Sequence, residues 1–263
     1  MMTDMLTFNA EAARRIERTY RTPDVVAQRH TVLDTLALRP GERVLDIGCG
    51  PGLLAAEMAG VVGARGHVIG VDVSESMLAL ARTRAVVPGG AKVDLRAAAA
   101  DHLPCADASV DVAVSTQVLE YIVDVAGALA EIHRVLVPGG RVAVLDTDWD
   151  SLVWHCTDRP RMTRMLAAWD QHLADPHLPR TLLPALRRAG FETSPPLVIP
   201  LLNVGYRRDT YSAGLIDIVA SYVVGRNGLT EDEVAAWSHE LRGLGDDYFF
   251  SLNRYLFTAT KRS

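Results

Sequence analysis

The chain has 263 residues, 49% of them hydrophobic and 22% charged, which suits one globular domain with elaborations or two small domains. Its net charge is −5 with no basic tract, which argues against nucleic acid as a partner. No apolar run approaches the roughly 20 residues needed to cross a bilayer, and the opening MMTDMLTFNAEAARR lacks the basic, apolar and small segments of a signal peptide, so no membrane association and a cytoplasmic location are expected.

Residues 9–20 read as a polar helix with Asn9 as a cap, and Pro23 suits the first turn of a second helix from Asp24 to Ala37. Pro40-Gly41 marks a turn. The apolar run Val44-Leu45-Asp46-Ile47 then predicts a strand, followed by glycines at alternate positions, Gly48, Gly50 and Gly52, and a helix start from Leu53. His67 to Asp72 predicts a second strand, and Ser74 caps a helix from Glu75 to Ala85 that Pro88-Gly89-Gly90 ends. Val93 to Ala98 predicts a third strand and Val110 to Ser115 a fourth. A helix from Val123 to Leu136, a turn at Val137-Pro138-Gly139-Gly140 and a fifth strand from Arg141 to Asp146 follow.

The order then changes. A helix is expected near Met162 to Leu173 and another from Pro184 to Ala189, stopped by Gly190. Leu197 to Leu202 predicts a sixth strand. Residues 203–247 read as inserted helices, with a capping box at Thr230-Glu231-Asp232-Glu233, and Phe249 to Thr260 as the last strand.

Buried strands alternating with helices predict a mostly parallel sheet covered on both faces. Such sheets bind ligands at the carboxyl ends of their strands, where Asp46, Asp72, Gln117 and Asp146 fall. The glycine turn is neither of two common nucleotide loops. A dinucleotide fingerprint needs a glycine at the sixth position, which is Leu53, and a P-loop needs a Gly-Lys-Ser/Thr that is missing.

Asp46-Ile47-Gly48-Cys49-Gly50-Pro51-Gly52 instead resembles the first motif of class I S-adenosylmethionine-dependent methyltransferases. The resemblance covers residues 31–146 well and 180–260 loosely, including Pro138-Gly139-Gly140 and Leu186 to Phe191. It implies a Rossmann-like α/β fold: a seven-stranded mostly parallel sheet with helices on both faces, an N-terminal helical lid and a helical insertion before the last strand. A single domain, 1–263, is expected, with the lid at 1–40, the cofactor core at 41–146 and substrate-side elements at 147–263. The implied cofactor is S-adenosyl-L-methionine, left as S-adenosyl-L-homocysteine, bound by Asp46, Gly48, Cys49, Gly50, Gly52, Asp72, Val73, Met77, Ala100, Asp101, His102 and Gln117. Asp72 would hold the ribose hydroxyls and Met77 would lie against adenine, although a plain core role suits Met77 equally. The chain departs from the family at Ala99, where an aspartate usually receives the adenine amino group. Asp101 stands two residues later and is as readily a surface residue.

The small-molecule subgroup related to quinone-biosynthesis and arsenite enzymes is the nearest in pattern. Cys49, Cys105 and Cys156 form no thiol set for arsenite, and no metal site is expected. The expected reaction is in-line methyl displacement onto carbon, nitrogen or oxygen of a small, aromatic or heteroaromatic acceptor. The candidate catalytic residues are Glu120, His155, Tyr20 and Asp148. Each has a plain structural alternative: a helix-face carboxylate, a structural histidine, an anchoring aromatic and a solvated acid. The run Asp146-Thr147-Asp148-Trp149-Asp150, with Trp154 and His155, either grips the substrate by stacking and charge or roofs the core. Tyr206, Tyr211, Tyr222 and Trp237 are expected to wall the pocket. A cyclase or other non-methylating enzyme on this fold, or a non-catalytic cofactor-binding protein, is the alternative function, and a homodimer is left open.

Overall fold

The computed structural model describes residues 10–262, so the expected Asn9 cap lies outside the described residues. In chain order the elements are α1 (Ala10–Thr19), α2 (Pro23–Leu36), β1 (Arg43–Ile47), α3 (Leu53–Val62), β2 (His67–Asp72), α4 (Glu75–Arg82), β3 (Lys92–Ala97), β4 (Val110–Thr116), α5 (Val125–Val135) and β5 (Leu136–Thr147). There follow β6 (Val153–Trp154), α6 (Arg159–Trp169), α7 (Pro179–Arg188), β7 (Phe191–Thr193), β8 (Leu197–Val204), α8 (Tyr211–Val223), α9 (Glu231–Gly243) and β9 (Phe249–Lys261). Helix starts follow their caps: Ser74, Asp124 and Asp158 each accept an amide of the first turn, and Thr230 and Glu233 complete the expected capping box.

The sheet is mostly parallel, in the order β3-β2-β1-β4-β5-β9-β6, with β7 and β8 also on β9. It has nine strands rather than the expected seven, and the pairing explains the difference. β5 and β6 share one edge of β9, since Thr147 faces Arg254 and Val153 faces Ser251. β7 and β8 share the other edge, at Glu192 opposite Thr260 and Ile199 opposite Arg254. Two of seven positions are thus broken strands, one interrupted by the turn at Asp148–Leu152 and one by Ser194-Pro195-Pro196, where proline cannot continue the ladder. β5 also starts earlier than expected. Its first residues pair with β4 through a bulge between Val110 and Val112, so Pro138-Gly139-Gly140 is an irregular strand end rather than a free turn.

Each face of the sheet is covered. Val32 and Leu36 of α2 and Met58 and Val62 of α3 pack on Val44, Val68 and Val112. Leu129 and Ile132 of α5 and Leu182 and Leu186 of α7 pack on Leu45, Ile47 and Val144 from the other side. A third apolar cluster joins α1 to α6, α8 and α9 through Ile16, Met165, Ile216, Val219 and Trp237. α1 and α8 approach closely because residue 214 is glycine: a Cβ there would lie 2.3 Å from Thr19 Oγ1. Glu17 pairs with Arg84 after α4, and Arg29 with Glu57 of α3, which fastens α1 and α2 across the carboxyl edge of the sheet. No helix among the described residues is long and apolar enough to cross a membrane.

Candidate functional site

The site is built on the glycine turn after β1. Gly48 and Gly50 have φ of +66° and +51°, a region that favours glycine. A side chain is excluded at Gly48 by packing as well, since a Cβ would sit 2.2 Å from Val118 Cγ2. At Gly50 a Cβ would meet no atom within 4 Å, so bare backbone faces open space there. That space belongs to a cavity of about 370 Å³, bounded by the turn, by Asp72, Val73 and Met77, by Ala98 to Asp101, by Gln117 and Val118, and by Tyr20, Gln28 and Arg254.

Asp72 ends β2 and ties the turn in place. Its Oδ2 accepts the Gly50 amide at 2.8 Å and its Oδ1 the Ser74 amide at 2.8 Å. Burial raises its pKa, and these amides oppose the rise. Asp46 is buried beneath the turn with no partner for either carboxylate oxygen. Burial, and then the neighbouring Asp72, pushes its pKa up to about 8. The same surroundings keep the Cys49 thiol protonated.

The β4 end carries a strained residue. Gln117 is left-handed at φ +59°, a conformation that costs a non-glycine residue on the order of 1 kcal/mol. It is held by its amide to Leu145 O at 2.7 Å and by Nε2 to Thr147 Oγ1 at 2.5 Å. The next amide, Val118, donates to Asp146 Oδ1 at 3.1 Å. Glu120 follows in a short 3-10 turn, Leu119–Tyr121, and is 1% exposed. Its Oε2 accepts Thr147 N–H at 3.2 Å and Trp149 Nε1–H at 3.3 Å. Burial raises the Glu120 and Asp146 carboxyls toward their neutral forms; Glu120 raises Asp146 further, and Arg254 opposes the rise in both.

Tyr20, just after α1, lines the cavity. Burial, Tyr211, Glu120 and Asp72 raise its phenol while Arg254 lowers it, so these groups share one electrostatic neighbourhood. Of the expected cofactor contacts, Asp46, Gly48, Cys49, Gly50, Asp72, Val73, Met77, Ala100, Asp101 and Gln117 line the cavity. Gly52 caps α3 behind it, and His102 is exposed beside Asp101 at 3.3 Å. Ala99 lines the cavity where the family carries its aspartate, with Asp101 also on the wall.

Glu120 is buried behind the cavity wall rather than on it, since Val118, Tyr121 and Ile122 line the cavity and Glu120 does not, and the other two catalytic candidates lie elsewhere. Asp148 is gripped by Arg180, Nε at 2.8 Å and Nη2 at 2.9 Å, and touched by His177 at 3.3 Å, outside the cavity wall. Asp148, Asp150 and His177 are the one group among the described residues with metal-like spacing, and Arg180 already bonds both carboxylates. His155 is exposed, its amide donating to Phe249 O, and borders a separate surface hollow with Cys156. Trp149 and Trp154 are buried, donating to Glu120 and to the Tyr248 hydroxyl, so they roof the core. In the insertion, Tyr222 and Trp237 pack on other aromatic rings, Tyr206 packs on Tyr248, and Tyr211 lies under Arg254. Gln28 and Arg254 were not anticipated. The alternation Phe250, Leu252, Arg254, Leu256, all buried, carries the signal for Arg254: a charge on the inward face of a strand.

Comparison with known proteins agrees with this geometry. Residues 45–144 match the family model described as a methyltransferase domain. An uncharacterised 37.1 kDa protein in transposon Tn4556 of Streptomyces fradiae is 36% identical over 212 residues, 73% of this chain and 59% of that protein. An arsenite methyltransferase of Halobacterium salinarum is 41% identical over 110 residues, 42% of this chain and 28% of that protein. The chain therefore spans less than two thirds of the length of either relative. Haemonchus contortus phosphoethanolamine N-methyltransferase 2, solved with S-adenosyl-L-methionine, shares the fold with a TM-score of 0.64 at 20% identity, over 99% of this chain and 59% of that one. Residues 45–144 are thus a methyltransferase domain, and its D-I-G-C-G-P-G turn and acid-ended second strand are of the class I S-adenosylmethionine-dependent kind.

Proposed function

We propose that the protein transfers a methyl group from S-adenosyl-L-methionine to a small acceptor with an apolar, aromatic body. The observation that carries this reading is the bridge from Asp72 to Gly50 at the wall of a cavity that continues to Tyr20 and Arg254. The residues present fit the cofactor. Gly50 leaves a cradle that a Cβ would fill, and a carboxylate ends β2 where ribose hydroxyls need an acceptor. Met77 and the Ala98 to Ala100 wall suit adenine, and Gln117 borders the methionine end.

The bound cofactor would supply an electrophilic methyl group. The chain's own contribution is chiefly alignment and exclusion of water, and alignment of this kind is worth roughly 7–11 kcal/mol. Residues 10–40 act as a lid, with Tyr20 on its inner side. Glu120, buried behind the wall formed by Val118 and Tyr121, is the candidate proton acceptor: its raised carboxyl can take a proton near neutral pH that reaches it from an acceptor O–H or N–H. Val25, Tyr121 and Ile122 offer an apolar wall to the acceptor.

The test is turnover. The protein incubated with S-adenosyl-L-methionine and a panel of small aromatic acids, phenols and amines should release S-adenosyl-L-homocysteine in step with one of them. Cofactor binding without that product across the panel would count against methyl transfer and favour a binding or cyclase role.

A further inference from the structure

A buried cation closes the β9 end of the cavity with two of its three nitrogens lacking an acceptor. Arg254 is 1% exposed and lines the cavity beside Gln28 and Tyr20. A guanidinium carries a delocalised positive charge and five N–H donors. Nη1 donates to Gln28 Oε1, the guanidinium carbon lies 4.5 Å from the centroid of the Tyr211 ring, and burial raises the Tyr211 phenol while the charge and hydrogen bonding of the guanidinium lower it. Nε and Nη2 have no acceptor and are sealed from solvent. A buried donor left unpaired is costly, and more so when it is charged.

Nε and Nη2 together form the edge that grips a planar oxyanion with two parallel hydrogen bonds. This chain uses that edge elsewhere, Arg134 on Glu131 and Arg207 on Asp209 among the cases. Arg43 holds Asp111 with Nε at 3.0 Å and Nη2 at 2.8 Å. Arg180 holds Asp148 with Nε at 2.8 Å and Nη2 at 2.9 Å. The buried carboxyls closest in influence, Glu120 and Asp146, bond instead to Thr147, Trp149 and Val118. Their burial also favours the neutral form, which leaves them poor counterions.

Position in the sheet sets Arg254 apart from the ribose end of the site. Arg254 pairs with Thr147 across β5 and β9, and β9 lies three strand spacings from β1, roughly 14 Å from the glycine turn's strand. Asp72 lies one strand further away, on β2.

We infer that the methyl acceptor carries a carboxylate, held side-on by Nε and Nη2 of Arg254 once a turn of the guanidinium brings that sealed edge to the cavity, with Gln28 and Tyr211 on its other sides. This rests on the methyl-transfer reading above. A cationic amine at that end of the acceptor is disfavoured by the same charge. Acceptors whose neutral amide replaces the acid keep one carbonyl acceptor but lose the second bond and the charge that strengthens both.

The experiment is calorimetry on protein loaded with S-adenosyl-L-homocysteine, titrated with three acid and amide pairs: benzoate and benzamide, phenylacetate and phenylacetamide, indole-3-acetate and indole-3-acetamide. At least one acid is expected to bind roughly tenfold or more tighter than its amide. Arg254→Met should erase that preference, and Arg254→Lys should keep part of it as a point charge, each with S-adenosyl-L-homocysteine affinity unchanged as the check on folding. Equal binding within every pair, no acid binding to the loaded protein, or a preference that survives Arg254→Met would overturn the inference and leave the cofactor reading standing. Loss of S-adenosyl-L-homocysteine affinity in the folded Lys variant would also overturn it, by assigning the edge to the cofactor's own carboxylate. Failure of the wild-type protein to bind S-adenosyl-L-homocysteine would remove both.

Discussion

Asp72 accepts the backbone amide of Gly50 across 2.8 Å, so the acid at the end of β2 holds the glycine turn at the end of β1. Asp72→Ala removes an acceptor from two amides, Gly50 and Ser74, as well as the proposed ribose contact. We expect its S-adenosyl-L-methionine affinity to fall by roughly 10- to 100-fold, the size expected for losing a charge-assisted pair of bonds. Isothermal titration of the variant checks this, and affinity equal to wild type would remove the role.

Gly48 faces Val118 so closely that alanine cannot enter without displacing it. Gly48→Ala combines this clash with a left-handed backbone and should destabilise the protein by about 3 kcal/mol. Adding Val118→Ala should return part of that loss, since it removes the clash and leaves the backbone strain. Urea unfolding of the single and double variants measures the difference.

Stability should fall as pH rises above 6.5, and Asp46 is one named cause. Its pKa is 3.8 in the reference state and about 8 in the fold, so the folded state binds more protons between these values. Stability from such a group is fully present below the lower value and is lost as pH rises through the upper one. His172 opposes this at lower pH. Burial lowers it from 6.5 to about 4, so its neutral form adds stability as pH rises from 4 to 6.5. Above 6.5 the Asp46 contribution is unopposed by His172 and approaches about 1.4 kcal/mol per pH unit at its steepest. Asp46→Asn should flatten denaturant-derived stability between pH 6.5 and 8; an unchanged slope would count against the buried, protonated state.

Glu120→Gln keeps the shape of a buried side chain and removes its proton affinity. For an acceptor that must lose a proton, kcat should drop by roughly 10²- to 10⁴-fold, with S-adenosyl-L-homocysteine affinity retained. In the wild type, activity should rise with pH as Glu120 loses its proton, nearer neutrality than an ordinary carboxyl because burial raises it. The variant should lack that limb. A profile identical to wild type would place the base elsewhere.

That the expected cofactor residues gather around one cavity was legible in the chain because their determinants are local. Gly48, Gly50 and Asp72 sit at strand ends that hydrophobic runs mark, and parallel pairing of β1 with β2 brings those ends together. The acceptor half depends on long-range packing. Arg254 meets Gln28 across 226 positions, which local periodicity does not report. Asp148 and His155 looked suitable by proximity to β5, yet Arg180 binds the first and the second is exposed by the β6 hollow. The two short strands were missed because two or three residues, Val153–Trp154 and Phe191–Thr193, carry too little alternation to register.

The most direct test of the account is calorimetric titration of the wild-type protein with S-adenosyl-L-homocysteine and, separately, with NAD. One molecule of S-adenosyl-L-homocysteine should bind per chain, with no detectable heat from NAD. Binding of NAD without S-adenosyl-L-homocysteine, or of neither, would contradict the assignment of the Gly48 to Asp72 cavity.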